Sequence, residues 1–313
     1  MTRKILFVSN CYRKAFTLLE LIIVIAILAT LLGMVAPAVM HARESARRVA
    51  CKSKLREISN AMLQFEAANR SLPPSFFGKK DTPHLFRKGS LIGHLSVLPE
   101  AIGNSQVGRI ADQYRLSDRL WFEVPQVEIL RRSYSSLFLC PSDGEKGDWV
   151  IATRTPYFDT DSFHILPANK AEQWTNYLGC AGSSPFSIYD SRGRGVFLPL
   201  KGSRVSDILD GLSNTLFLGE VTGQFRDGVN RRGRENSFSW LSGAQSVQEA
   251  LNYDRRRIPG QDSGLSQFRS GHGPLVHFSF VDGRVDAIHE NIDQRLLEAM
   301  ATIAEADMSS DNH

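Results

Sequence analysis

The sequence predicts an α+β protein, a long N-terminal helix carrying a mainly antiparallel β-sheet domain with long loops. Three observations predict it. Residues 21–40 form an almost unbroken apolar run behind a basic segment. Cys51, Leu55, Ile58, Met62 and Phe65 then recur at spacings of four and three, the apolar stripe of a helix. Far downstream, residues 276–281 and 284–289 alternate around Asp282-Gly283, the strongest short-range hairpin signal a sequence carries.

The N-terminal element comes first. Of the 37 Lys and Arg residues, four lie within residues 1–15, which hold no acid, so the remainder balances the 33 Asp and Glu. The formal charge of +4 therefore belongs to the leader, and a neutral remainder gives nucleic-acid binding no support. A basic flank before an apolar run keeps the N-terminus in the cytoplasm. Twenty helical residues at 1.5 Å each span roughly 30 Å, enough to cross a hydrocarbon layer. The alternative is a secretory signal peptide cut near Ala36-Pro37-Ala38, although the apolar run is longer than an ordinary signal core. Glu20 is the unusual residue, because a carboxylate at the lip of such a run is costly unless something neutralises it.

Past Met40 the helical period continues. Ala42, Ala46 and Val49 extend the apolar stripe, while Arg43, Glu44, Arg47, Arg48, Lys52, Lys54, Arg56 and Glu57 cover other positions. Such a stem is half buried, one face packed and the other wet. A helix from Phe16 to about Asn69 would be roughly 80 Å long. Gly33 and Pro37 are expected to bend it, and Pro73-Pro74 to stop it.

This N-terminal constellation resembles the type IV pilins and the pseudopilins of type II secretion. The resemblance implies cleavage by a prepilin peptidase between Ala15 and Phe16, with N-methylation of Phe16. Glu20 falls at the family's glutamate five places into the mature chain, and Pro37 at its proline twenty-two places in. Ala15 departs from the commoner glycine. Physically, a buried Glu20 needs a partner, and the freed α-ammonium of a neighbouring subunit supplies one. The plainer reading has Glu20 snorkelling to the interface beside Arg13 and Lys14.

Residues 71–108, rich in Pro, Gly and His, read as loops. Residues 134–141 and 149–152 read as short strands. So do residues 174–183, which run into a glycine turn, and 195–199, where Pro199 marks an edge. Residues 205–209 form one helical turn, broken by Asp210-Gly211, and 214–220 a buried strand. Asp282-Gly283 suits a type I′ turn, and 291–306 a terminal helix or fraying tail. Four segments follow: leader 1–15, transmembrane and stem helix 16–70, extracytoplasmic domain 71–300 and tail 301–313. Cys11 lies in the leader and Cys51 in the stem, leaving Cys140 and Cys180 as the plausible intradomain disulfide or as two core thiols.

A second resemblance covers nearly the whole chain. Cys140-Pro141-Ser142, Asn176-Tyr177, Gly195-Val196-Phe197, the run Asp207 to Thr215 with Asp210, Gly211 and Asn214, then Glu220, and finally His272 nine residues before Asp282-Gly283 resemble domain-of-unknown-function family 1559. That is a prepilin-like family abundant in Planctomycetes. The resemblance implies a pilin-like fold and a structural subunit of a type IV pilus or type II secretion pseudopilus. Its partners would be the prepilin peptidase/N-methyltransferase, like subunits and the inner membrane. The chain would be single-pass there, with its C-terminal domain periplasmic. A membrane-anchored envelope protein that never forms filaments is the alternative.

Catalysis, cofactors and metals are not expected. His272, Asp282 and Ser213 or Asp210 could be drawn as a triad, but no Gly-x-Ser-x-Gly elbow is present. Asp159, Asp161, Asp207 and Asp210 suit calcium without forming an EF-hand loop. No Cys-x-x-Cys or His-Glu-x-x-His zinc pattern occurs. His277 and His289 read as solvent-facing hairpin residues. Arg231, Arg232 and Arg234, with Arg255, Arg256 and Arg257, read as solvated surface, and no nucleic acid is expected.

Overall fold

The computed structural model describes residues 17–77, 92–98, 105–115, 124–125, 129–130, 135–143, 152–154, 163–165, 174–183, 193–198, 200–222, 224–225, 234–235, 238–239, 245–247, 251 and 268–304. Ala15, Phe16, Asp159, Asp161, Arg231, Arg232 and Arg255–Arg257 lie outside them. The chain divides into two compact units, residues 1–46 and 47–313.

The first unit is dominated by the N-terminal half of helix α1 (Leu18–Asn69), which continues through Gly33 and Pro37. Thr17 and Glu20 begin it with a capping box. The Thr17 backbone N–H and hydroxyl both donate to Glu20 Oε2, at 2.9 and 2.8 Å, and the Glu20 N–H donates back to Thr17 Oγ1 at 3.3 Å. Two backbone donors that a helix N-terminus leaves open are thereby satisfied. Leu18, Ile22, Ile25, Leu28, Leu32 and Val35 are all exposed. Thr30, the polar residue in the run, turns its hydroxyl onto the Ile27 carbonyl at 2.8 Å. The helix is long and apolar enough to cross a membrane, consistent with a single-pass membrane protein.

In the second unit the same helix becomes amphipathic. Cys51, Leu55, Ile58 and Met62 are fully buried, as their spacing requires. The stripe does not extend backwards: Ala42, Ala46 and Val49 are exposed. Arg70, at φ +57, ends the helix in the left-handed conformation, three residues before the prolines.

Short helix α2 spans Ser105–Tyr114. The strands are β1 (Ala152–Arg154), β2 (Phe163–Ile165), β3 (Trp174–Thr175), β4 (Tyr177–Gly182), β5 (Leu216–Glu220), β6 (Gln224–Phe225), β7 (Arg234–Glu235), β8 (Phe238–Ser239), β9 (Gln245–Ser246), β10 (Leu275–Phe280) and β11 (Val285–His289), and helix α3 is Gln294–Ala301. The main sheet has the order β11-β10-β5-β4-β9, antiparallel except for the β4–β9 pair. β1–β2, β3–β8 and β6–β7 form two-stranded sheets beside it.

Two hydrophobic clusters flank the sheet. One joins Cys51, Leu55, Ile58 and Met62 of α1 to Tyr177, Phe197, Phe217, Leu218 and Val281. The other joins Leu178, Cys180, Leu216, Val276, Phe278 and Phe280 to Leu297 and Ala301 of α3. Alternation along β4 thus feeds both clusters, while β10 sends Val276, Phe278 and Phe280 into the second, and the register shifts between Ser279 and Phe280 where β10 meets β5. Asp293 caps α3 by accepting from the Arg295 and Leu296 N–H groups.

Three local expectations change. Among the described residues, 195–198 form no strand but a single bridge from Phe197 to Gly202. Within residues 134–141, Ser136–Phe138 is a turn of 3-10 helix rather than a strand, begun by Ser135, whose side chain accepts from the Leu137 N–H. That local bond offers the backbone an alternative to a ladder. The hairpin forms as read, with Ser279 opposite Val285. Its loop is not type I′: the Gly283 N–H bonds the Phe280 carbonyl at 2.9 Å, the Phe280 N–H bonds the Arg284 carbonyl at 2.8 Å, and only Gly283, at φ +84, is left-handed. That is the three-residue loop with a glycine bulge. A side chain at Gly283 would also crowd Asn60 of α1, 3.3 Å away.

Candidate functional site

β5 and β10 run antiparallel through the middle of the sheet, so each end of the pair gathers residues from distant parts of the chain. At one end, Asp210, Gly211 and Asn214 build a turn. Gly211 adopts φ +93, Asn214 Nδ2 donates to the Asp210 carbonyl at 2.9 Å, and the Asn214 N–H bonds Gly211. This turn receives the hairpin tip: the Asp282 N–H bonds the Leu212 carbonyl at 3.2 Å and Arg284 reaches the Ser213 carbonyl at 2.7 Å. Asp282 itself accepts from the Arg284 N–H at 2.9 Å. These residues fasten backbone to backbone.

The other end is a buried centre. Cys51 of α1 and Cys140 are joined by a disulfide, with their Cα atoms 5.3 Å apart. His272 Nε2 lies 3.3 Å from Cys140 Sγ and 3.6 Å from Glu220 Oε1. Glu220 Oε2 accepts from the His277 N–H at 3.0 Å and meets His277 Nδ1 at 2.9 Å. The two imidazoles stand edge to face, 5.1 Å apart. Asn176 closes the surround: its Oδ1 accepts from the Cys140 N–H at 2.8 Å, and its Nδ2 donates to the Val221 carbonyl and to Asp143. Tyr177 donates its hydroxyl to the Cys51 carbonyl at 3.4 Å. Burial, and secondarily Glu220, push the Tyr177 phenol well above its ordinary range, so it remains a neutral donor. Lys54 Nζ reaches the Ser136 and Leu139 carbonyls at 2.7 and 2.8 Å, holding the Cys140 segment to the helix.

Cys140, Glu220 and His272 therefore meet, whereas Asp282 lies at the far end of β10, about 20 Å along a six-residue strand. The His272–Asp282 arrangement does not form. The cysteine pairing also differs from the sequence reading. Cys140 bonds the stem cysteine, and Cys180 is a free buried thiol whose pKa burial pushes up to about 12. His277 was expected in solvent but is buried, because both faces of β10 are covered; His289 on the edge strand is exposed. With both sulfurs bonded and the centre closed, the arrangement presents no free thiolate and serves as a staple.

Two family models match the chain. Residues 40–295 match the family described as "Protein of unknown function (DUF1559)". The chain belongs to the DUF1559 family. Residues 10–36 also match the prokaryotic N-terminal methylation motif, so this DUF1559 protein is prepilin-like or pseudopilin-like at its N-terminus. No curated protein and no solved structure matches it. The buried centre lies within the DUF1559 match, and the capping box within the methylation motif.

Proposed function

We propose that this DUF1559 protein is a structural, non-catalytic subunit of a type IV pilus-like or type II pseudopilus-like assembly. In this reading a prepilin peptidase cuts between Ala15 and Phe16 and methylates Phe16. The helix stays in the inner membrane with its leader end cytoplasmic and its sheet domain outside. One observation carries the reading: the methylation motif includes the start of a capped helix whose apolar side chains, Leu18 to Val35, are exposed among the described residues. Buried in lipid, they face a solvent as apolar as themselves, so helices associate through packing and polar contacts. Glu20 is the one such polar group between Thr17 and Thr30. Thr17 satisfies one of its oxygens, and Oε1 is left for a neighbour's α-ammonium.

Substituting Glu20→Gln keeps the shape and one oxygen to accept from Thr17 while removing the charge. Insertion should persist, and cross-linked multimers recovered from membranes should fall at least tenfold. Wild-type multimer yields from Glu20→Gln would contradict the assembly role. Multimers absent from the wild type as well would favour the anchored, non-filamentous envelope protein.

A further inference from the structure

We propose that, once the Cys51–Cys140 disulfide is reduced, the same centre is a closed zinc site, with Cys51 Sγ, Cys140 Sγ, His272 Nε2 and Glu220 Oε1 as its four ligands. These ligand atoms all lie within 4.8 Å of one another, and all four residues are buried. Tetrahedral zinc with Zn–S near 2.3 Å and Zn–N or Zn–O near 2.1 Å sets ligand atoms about 3.4–3.8 Å apart. Two edges already lie close to this: 3.3 Å from His272 Nε2 to Cys140 Sγ and 3.6 Å from His272 Nε2 to Glu220 Oε1.

Glu220 supplies an independent argument. Its Oε1 is buried and has no hydrogen-bond partner among the described residues, while Oε2 is held by His277. An unsatisfied buried carboxylate oxygen is costly, and a cation is what would satisfy it. The Oε2 contacts are the outer-shell support that orients a ligating carboxylate. Two thiolates and an imidazole select a borderline-soft metal over calcium or magnesium. A full set of protein ligands leaves no open position, so the ion would be structural.

The chemistry balances. A dithiol reductant gives two electrons and two protons to the disulfide and becomes a disulfide itself. The two cysteine thiols then release two protons to bind one Zn²⁺, with Glu220 ligating as carboxylate and His272 as neutral imidazole. Because Cys51 stands on α1 and Glu220 on β5, the ion would tie stem to sheet in the reduced protein as the disulfide does in the oxidised one.

The test uses the full chain in detergent micelles, reduced with dithiothreitol, desalted without oxygen and dialysed against Zn²⁺. One zinc per chain should be retained by the reduced protein and none by the oxidised. X-ray absorption should give two sulfur and two nitrogen or oxygen neighbours. Glu220→Gln and His272→Gln, each first shown by near-ultraviolet circular dichroism to fold in its oxidised state, should weaken zinc binding tenfold or more. If one variant fails that check, the other and the absorption spectrum decide. Reduced protein that retains no zinc, a four-sulfur site shared between chains, or unchanged affinity in a folded variant would overturn the proposal.

Discussion

Reduction of the Cys51–Cys140 bond should destabilise the sheet domain more than any other single change at the buried centre. The bond closes a loop across a sequence separation of 89 residues. In the chain-entropy treatment, a loop that long is worth about 4–5 kcal/mol. For a domain of this size each kcal/mol moves the melting temperature by about 2–4 °C, so reduction should lower it by about 10–20 °C. The assay is a circular dichroism melt of the full chain in detergent, with and without reductant, in excess chelator so that no metal substitutes for the bond. Thiol counting accompanies it: beyond the leader, denatured but unreduced protein should alkylate at Cys180 alone. An unchanged melting temperature on reduction, or alkylation of Cys51 or Cys140 without reductant, would refute the reasoning.

Two further predictions concern the core around that centre. His94 is buried, its Nε2 accepts from the Gly179 N–H at 3.1 Å, and burial pushes its pKa down to about 4 against the opposing Ser75 backbone. The unfolded ring therefore takes up a proton that the folded ring refuses: stability is intact above about pH 6.5 and is lost as pH falls towards 4, by about 3 kcal/mol. Urea midpoints of wild type and His94→Gln should diverge at pH 7 and converge towards pH 4.5; parallel pH profiles would contradict this. Gly219→Ala would bring a methyl group within 2.5 Å of the Phe268 and Phe278 rings and should cost about 1–3 kcal/mol, read as a lower urea midpoint. A midpoint equal to wild type would show that the rings yield freely.

Much of the architecture was legible because its signals are local. The charge-free run of residues 21–40, the Cys51–Met62 stripe and the Asp282-Gly283 pair each specify an element within a few residues. The buried centre was not legible as a centre. Its four candidate ligands come from α1, the segment after Ser136–Phe138, the end of β5 and the loop before β10, so no spacing rule joins them. Cys51 was set aside as a stem residue, yet its place on the buried stripe with Leu55, Ile58 and Met62 was the available hint. His277 was read as solvent-facing because alternation implies one wet face. β10 has none: Val276, Phe278 and Phe280 on one side join the cluster around α3, and His277 and Ser279 on the other are buried as well. Asp-Gly fits both a two-residue turn and a three-residue loop, and the pairing of Ser279 with Val285 makes it the longer one here.

The central claim is that the chain is processed as a prepilin, and the mass of its N-terminal peptide tests it most directly. Protein purified from membranes of a cell with active prepilin peptidase should begin at Phe16 and carry one added methyl group. A chain that still begins at Met1 in such a cell, or one cut near Ala38, would contradict the account.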